Sequence, residues 1–170
     1  MAKKTSSESF DEFRQLIARL RSPQGCPWDR KQTHDTLKTA LLEECYEALQ
    51  AIEAKSPAKL REELGDLFLQ IMLNSRIAEE AGEFDINDVI EGIMAKLIRR
   101  HPHIFGDATA RDAAEVEQRW EWLKKQERSS DSSILDSVPP GMPALAYAFS
   151  IQRRAAGVGF DWKDVEGVMG

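Results

Sequence analysis

The chain has 170 residues, of which 23 are Lys or Arg and 29 are Asp or Glu, so its formal net charge is −6. Its length suits one domain with some residues to spare, and 42% hydrophobic against 31% charged residues is a globular balance that excludes disorder along the whole chain. The acidic excess argues against direct nucleic-acid binding, which requires a basic surface to neutralise phosphates.

The sequence predicts a cytoplasmic protein. No apolar run approaches the roughly 18 residues that span a membrane, and no apolar stretch follows the lysines near the N-terminus, as a secretory signal would require. Cys26 and Cys45 fall in different predicted elements and lack the spacing of a zinc or redox site, as expected in a reducing compartment.

Apolar residues recur three and four positions apart along most of the chain, which predicts helices. A first helix ends at Ser22-Pro23, and a loop continues to Gln32. Thr33 and Ser56-Pro57 are typical starts for a second and a third helix, and the third ends near Gly82. The inward faces predicted for these two helices consist of Leu37, Leu41, Cys45, Ala48 and Ile52, then Leu60, Leu64, Leu67, Ile71 and Ala78.

A fourth helix is predicted from Asp85 to His101-Pro102, with Ile86, Val89, Ile90, Ile93 and Leu97 on its apolar side. A fifth follows Thr109-x-x-Asp112, and Pro143 to Ala156 predicts a last one. The segment before that last helix is rich in Ser, Asp and Pro, as in a linker. Because no segment alternates with a period of two between hairpin turns, the predicted fold class is all-α.

The strongest functional signal is a set of paired carboxylates on the second and third helices. Glu44 and Glu47 are three residues apart, as are Glu63 and Asp66, so each pair shares a helix face. Glu44 interrupts an apolar stripe and Glu63 lies beside another, so an antiparallel helix pair would bring the four acids together. Four acids so close together remain ionised only if a positive charge lies beside them, and Mg²⁺ is a natural source of that charge.

Two other interpretations of acidic residues are weaker here. Solvated surface acids account for the glutamates off the stripe or near helix ends, which are Glu53, Glu62, Glu79 and Glu80. A di-iron centre would need Glu-x-x-His pairs, and none of the three histidines has an acid three positions before it. The pattern therefore favours Mg²⁺ or Mn²⁺ acting on a phosphate-bearing ligand.

Basic residues suited to phosphate cluster in the last turn of the fourth helix, where they either stabilise the helix dipole or bind the ligand. On the fifth helix Trp120 shares a face with Lys124. A tryptophan at such a position is as typical of a hydrophobic core as of stacking on a nucleotide base. The candidate residues are Lys59, Lys96, Arg99, Arg100, Trp120 and Lys124.

With these motifs the chain resembles the MazG-type nucleoside triphosphate pyrophosphohydrolases. Their metal motif is Glu-Glu-x-x-Glu, a spacer and Glu-x-x-Asp, which matches residues 43–47 and 63–66 with 15 residues between. Other similar segments are Gly25–Asp29, Gln32–His34, Lys96–Asp107 and Trp120-Glu121. The resemblance covers residues 8–127.

The resemblance implies a four-helix-bundle-like fold, a homodimer, and Mg²⁺-dependent hydrolysis of a nucleoside triphosphate to the monophosphate and pyrophosphate by water attack at the α-phosphorus. Glu44, Glu47, Glu63 and Asp66 are then metal ligands, and Glu43 is a candidate for orienting or deprotonating the water. The implied nucleotide contacts are Lys59, Lys96, Arg100 and Trp120.

The resemblance also suggests the domain organisation: a pyrophosphohydrolase domain over residues 8–127, a linker over 128–142, and residues 143–170 as the lead-in to a second, incomplete repeat. A partial echo of Gly25–Asp29 in Gly157–Trp162 is either coincidence or the start of that repeat. There are two alternatives to an enzyme. The first is a non-catalytic or regulatory module that binds a nucleotide or a partner protein and whose active counterpart lies in a missing second domain. The second is a structural bundle whose inward acids pair with Lys or Arg.

Overall fold

A computed structural model describes residues 4–127, 133–162 and 167. Every regular element within these ranges is a helix, so the all-α prediction is confirmed, and none of the described helices is long and apolar enough to cross a membrane. The helices are α1 Ser6–Arg21, α2 Pro27–Arg30, α3 His34–Glu53, α4 Pro57–Ala81, α5 Ile86–Arg100, α6 Pro102–Phe105, α7 Ala113–Gln126 and α8 Ala144–Ala156. The chain divides into two compact units, Met1–Lys96 and Leu97–Gly170.

Local capping fixes the helix ends in the first unit. The hydroxyl groups of Thr33 and Ser56 accept backbone N–H bonds at the starts of α3 and α4, as predicted. Gly82 ends α4 with φ 71°, a left-handed conformation that glycine adopts without strain. α1 starts at a capping box formed by Thr5 and Glu8, which lies before the apolar periodicity that predicts this helix.

α3 and α4 form an antiparallel pair. His34 at the start of α3 bonds to Asn74 near the end of α4, whereas Glu44 further along α3 lies beside Asp66, earlier in α4. α1 packs against this pair, and the core of the first unit forms where these helices meet the start of α5. Its buried side chains are Ile17, Leu37, Met72, Leu73 and Ile86.

The predicted apolar faces are only partly buried. On α3, Leu37 and Ala48 are buried, but Leu41, Cys45 and Ile52 are exposed. The prediction that they point inward is wrong for a single chain, because α1 covers only part of the helix pair. The same holds on the next two helices, where the exposed residues are Leu64, Ile71, Val89, Ile93 and Leu97.

A nearly buried arginine holds the loop after α1 against the end of α4. The side chain of Arg21 is 6% exposed; its guanidinium donates to the carbonyl oxygens of Asp29 and Gln32 and, at 2.8 Å, to the carboxylate of Glu80. Within this loop, a Cβ at position 25 would lie 2.2 Å from the carbonyl oxygen of Leu20, so only glycine fits. The loop therefore has one fixed path.

In the second unit, part of the predicted linker packs on the last helix. The guanidinium of Arg154 on α8 donates to the carbonyl oxygens of Ile134 and Ser137, both at 3.3 Å, and Val138 is buried. The rest of that predicted linker, residues 128–132, lies outside the described residues, as do 163–166 and 168–170 of the predicted lead-in.

Candidate metal centre and basic-aromatic cluster

Three of the four predicted metal ligands meet between α3 and α4. Glu44, Glu63 and Asp66 each offer a carboxylate oxygen, and these oxygens all lie within 4.8 Å of one another. The three residues are half-buried. The short connection between α3 and α4 and the three-residue spacing of Glu63 and Asp66 produce this arrangement, since both place the acids at the same level of the helix pair.

Glu44 and Glu63 hold their protons more strongly than separate glutamates do. Partial burial raises the pKa of Glu44, and the neighbouring charges of Asp66, Glu47 and Glu63 raise it further. Burial also raises the pKa of Glu63, followed by the charges of Glu47, Glu62 and Asp66. In both cases burial is the larger cause, and the repulsion of neighbouring negative charges adds to it; a bound cation would oppose both.

The donor set fits a hard divalent cation. It consists of carboxylate oxygens only, which Mg²⁺ and Mn²⁺ prefer, and no imidazole or thiolate belongs to it. These three carboxylates would hold such an ion and would leave positions for the water molecules that Mg²⁺ usually keeps. Within the described ranges, no other group of three such side chains comes this close.

The remaining residues predicted for this site surround the trio. Glu47 and Glu43 are exposed and lie outside it, yet the charge of each raises the pKa of Glu44. Lys59 is exposed one turn before Glu63 and lowers the pKa of that residue. The structure therefore brings together Glu44, Glu63 and Asp66, with the other charges at their edge.

A second group of predicted residues meets in the second unit. The guanidinium carbon of Arg100 lies 5.2 Å from the ring centroid of Trp120, which is a cation–π contact. The ring of His101 meets the same tryptophan edge-on, with centroids 5.0 Å apart. Because Nδ1 of His101 lies 2.7 Å from the carbonyl oxygen of Leu97, that nitrogen is the donor and its proton is fixed there.

Glu127, directly after the last residue of α7, joins this group, although no sequence motif marks it. One carboxylate oxygen accepts a hydrogen bond from Nε of Arg99 at 2.8 Å and from Nε of Arg100 at 3.3 Å, and the other accepts from Nη2 of Arg100. The bonds from Arg100 and then Arg99 lower the pKa of Glu127 to about 2. Glu127 lies seven residues after Trp120, a helical spacing, but no spacing rule connects it to Arg100, 27 positions earlier, so the sequence does not predict the contact.

Two predicted residues remain, Lys96 and Lys124. Lys96 is exposed on α5, in the first unit. The side chain of Lys124 lies outside the described part of the chain.

The domain that carries these acids is similar to proteins of known name. Residues 32–105 match the model of the family described as the MazG nucleotide pyrophosphohydrolase domain. The chain is 49% identical over 160 residues to the nucleoside triphosphate pyrophosphohydrolase/pyrophosphatase MazG of Thermotoga maritima, a match covering 94% of this chain and 61% of that protein. It is 46% identical over 156 residues to the nucleoside triphosphate pyrophosphohydrolase of Escherichia coli, covering 90% and 59%.

A solved structure leads to the same family. The crystal structure of a mazG-related protein from Thermotoga maritima aligns with a TM-score of 0.57 and 29% identity, covering 68% of this chain and 98% of that one. The chain spans about three fifths of the length of the two curated relatives. The matched residues include the carboxylates of α3 and α4, so residues 32–105 of this chain form a MazG nucleotide pyrophosphohydrolase domain.

Proposed function

We propose that this chain hydrolyses nucleoside triphosphates to the monophosphate and pyrophosphate with the help of Mg²⁺ or Mn²⁺. The observation that carries the proposal is the half-buried trio of carboxylates, whose oxygens lie within 4.8 Å of one another in a domain of this family. Relatives named nucleoside triphosphate pyrophosphohydrolase support the same reaction.

In this proposal the acids divide the work. Glu44, Glu63 and Asp66 hold the cation, and Glu47 serves as a fourth ligand because its charge already acts on Glu44 and Glu63. Bound Mg²⁺ supplies positive charge to the phosphates and makes water more acidic. Glu43, adjacent to the ligands, accepts a proton from the water that attacks the α-phosphorus.

The basic residues in this proposal bind the triphosphate. Lys59 stands beside the acidic trio and Lys96 is exposed on α5, while Arg99 and Arg100 offer planar guanidinium groups that match phosphate oxygens. Trp120, beside Arg100, presents an aromatic ring for the base or ribose. Lys124, four residues later on α7, is retained as a phosphate contact on its sequence position.

The test is product analysis with isotope-labelled water. The protein is incubated with ATP and other ribo- and deoxynucleoside triphosphates with Mg²⁺ in ¹⁸O-water, and products are separated by ion exchange and weighed by mass spectrometry. We expect the monophosphate and pyrophosphate, with the label in the monophosphate because water attacks the α-phosphorus. Orthophosphate with a diphosphate, or label in pyrophosphate, would overturn the mechanism.

Two variants make that test specific. Glu44→Gln should abolish turnover because it removes a ligand of the trio. Glu91→Gln, an exposed acid on α5 that loses the same charge, should retain it. Nucleotide binding by the wild type without any turnover would favour the alternative, a non-catalytic or regulatory module.

We also propose a homodimer formed through the first unit. Large apolar side chains are exposed on α3, α4 and α5, among them Leu49 at 53%, Leu64 at 53% and Ile93 at 45%. Since about half of each side chain is already covered, burying the rest would contribute roughly 0.7–1.5 kcal/mol each, which favours contact with a second copy over contact with water.

Sedimentation velocity tests the homodimer. We expect a wild-type dimer that Ile93→Asp converts to a monomer. Leu16→Asp, an equally exposed apolar position on α1, should leave the dimer intact. A wild-type protein that sediments as a monomer at micromolar concentration would contradict this proposal.

A further inference from the structure

A carboxylate lies between the two arginines that the proposed function assigns to phosphate. Both oxygens of Glu127 accept hydrogen bonds, from Nε of Arg99 and from two nitrogens of Arg100. This is the contact that one phosphate group would make, with two oxygens facing two guanidinium groups. An acid of the chain itself therefore occupies the anion-binding position.

We propose that Glu127 competes with phosphate for Arg99 and Arg100, so that a polyphosphate binds there by displacing it. The inference rests on the proposed function, because it takes the triphosphate as the anion that these arginines receive. It makes Glu127 a residue that sets how tightly this pair of arginines binds phosphate, without being a ligand of the metal or of the nucleotide.

The contact is built so that the acid can leave. Glu127 directly follows the last residue of α7, and its own side chain is the part of it that bonds to the arginines. The side chain of Arg99 is 55% exposed and that of Glu127 is 24% exposed, so a dissolved anion reaches the contact from water. One anion replaces another in this exchange, so the positive charges of Arg99 and Arg100 stay paired throughout.

Arg100 keeps its place when the acid departs. Its side chain is 14% exposed and its guanidinium stacks over Trp120, a contact that does not involve Glu127. The arginine is therefore already oriented for the incoming anion. A polyphosphate carries more negative charge than one carboxylate, so the exchange proceeds in its favour when the ligand is abundant.

Acid does not open this contact under ordinary conditions. The arginines lower the pKa of Glu127 to about 2, so the carboxylate stays ionised near neutral pH. Only another anion displaces it.

The test is calorimetric titration of the full chain with inorganic tripolyphosphate, in a buffer containing EDTA so that the acidic trio remains free of metal. We expect Glu127→Gln and Glu127→Ala to bind at least about threefold more tightly than the wild type, because the competing charge is gone. Glu127→Asp, which keeps the charge, should stay nearer to the wild type. Glu115→Gln, on the same helix but paired with Arg111 and Arg119, should match the wild type.

Opposite outcomes overturn the proposal. If both charge-removing variants bind tripolyphosphate equally or more weakly, or if no variant binds it measurably, Glu127 holds the arginines in place and does not compete. The gain should disappear when Glu127→Gln is combined with Arg99→Gln, an exposed position where substitution leaves the fold intact. Because no turnover is measured, a protein that failed to hydrolyse nucleotides would still decide this question.

Discussion

Removing one charge from the acidic trio should stabilise the metal-free protein. In Glu44→Gln, the repulsion between positions 44 and 66 is lost, and the oxygens concerned lie within 4.8 Å. Two unit charges at that distance repel by about 1 kcal/mol in water and by about 3.5 kcal/mol at an effective dielectric constant of about 20. Because both side chains are only half-buried, the lower figure applies.

Thermal unfolding with EDTA and with Mg²⁺ measures this effect. A gain of about 1 kcal/mol corresponds to a rise of roughly 2–4 °C in Tm for a chain of this size. Mg²⁺ at about a hundred times its Kd should stabilise the wild type by about 2.7 kcal/mol. Glu44→Gln should lose most of that second gain, because it lacks a ligand, whereas Glu91→Gln should behave as the wild type.

The pH dependence has a definite sign. The pKa of Glu44 is raised above its ordinary value of 4.5, so the folded protein binds protons more strongly than the unfolded chain. Metal-free wild type should therefore be most stable, relative to Glu44→Gln, below pH 4.5 and should lose that stability as the pH rises through the raised pKa. A metal-free Glu44→Gln protein less stable than wild type at pH 7, or an equal Mg²⁺ shift in both, would refute the reasoning.

Three further outcomes are expected. Gly25→Ala should lower the free energy of unfolding, measured from the urea midpoint, by about 1–3 kcal/mol or more, because its Cβ would lie 2.2 Å from a carbonyl oxygen. Gly92→Ala, which has open space around it, should raise the free energy of unfolding by up to about 1 kcal/mol, and equal effects of the two substitutions would contradict this reasoning. Arg21→Gln should cost about 3 kcal/mol in the same assay because its nearly buried contacts are lost, and a loss below about 1 kcal/mol would show them to be unimportant. Glu127 has a lowered pKa, so the stability it contributes is present above pH 4.5 and disappears as the pH falls toward 2; Tm values of wild type and Glu127→Gln should converge over that range, and a constant difference would argue against the ion pair.

The features predictable from sequence were those set by local geometry. Thr33, Ser56 and Gly82 mark helix ends because a cap depends on its immediate neighbours. The meeting of Glu44 with Glu63 and Asp66 followed from helix periodicity and a connection too short to allow any other arrangement. Both depend on residues close in sequence, for which spacing is sufficient information.

The features that escaped prediction depend on distant residues. The partner of Arg21 is Glu80, 59 positions away, and that of Arg100 is Glu127, 27 positions away. No spacing rule connects residues so far apart. The apolar faces failed for a related reason: periodicity shows that Leu41 lies on an apolar stripe, but not which surface covers it.

The contact between Arg21 and Glu80 is not symmetric. Two acceptors of the guanidinium are backbone carbonyl oxygens, which no substitution removes. Exchanging the two residues, with glutamate at position 21 and arginine at position 80, would keep the attraction between them. The glutamate would, however, turn its oxygens toward those carbonyl oxygens, and the hydrogen bonds that hold the loop would be lost. Evolution can therefore alter position 80 gradually, through shorter or neutral acceptors, but position 21 must remain a donor with several N–H groups.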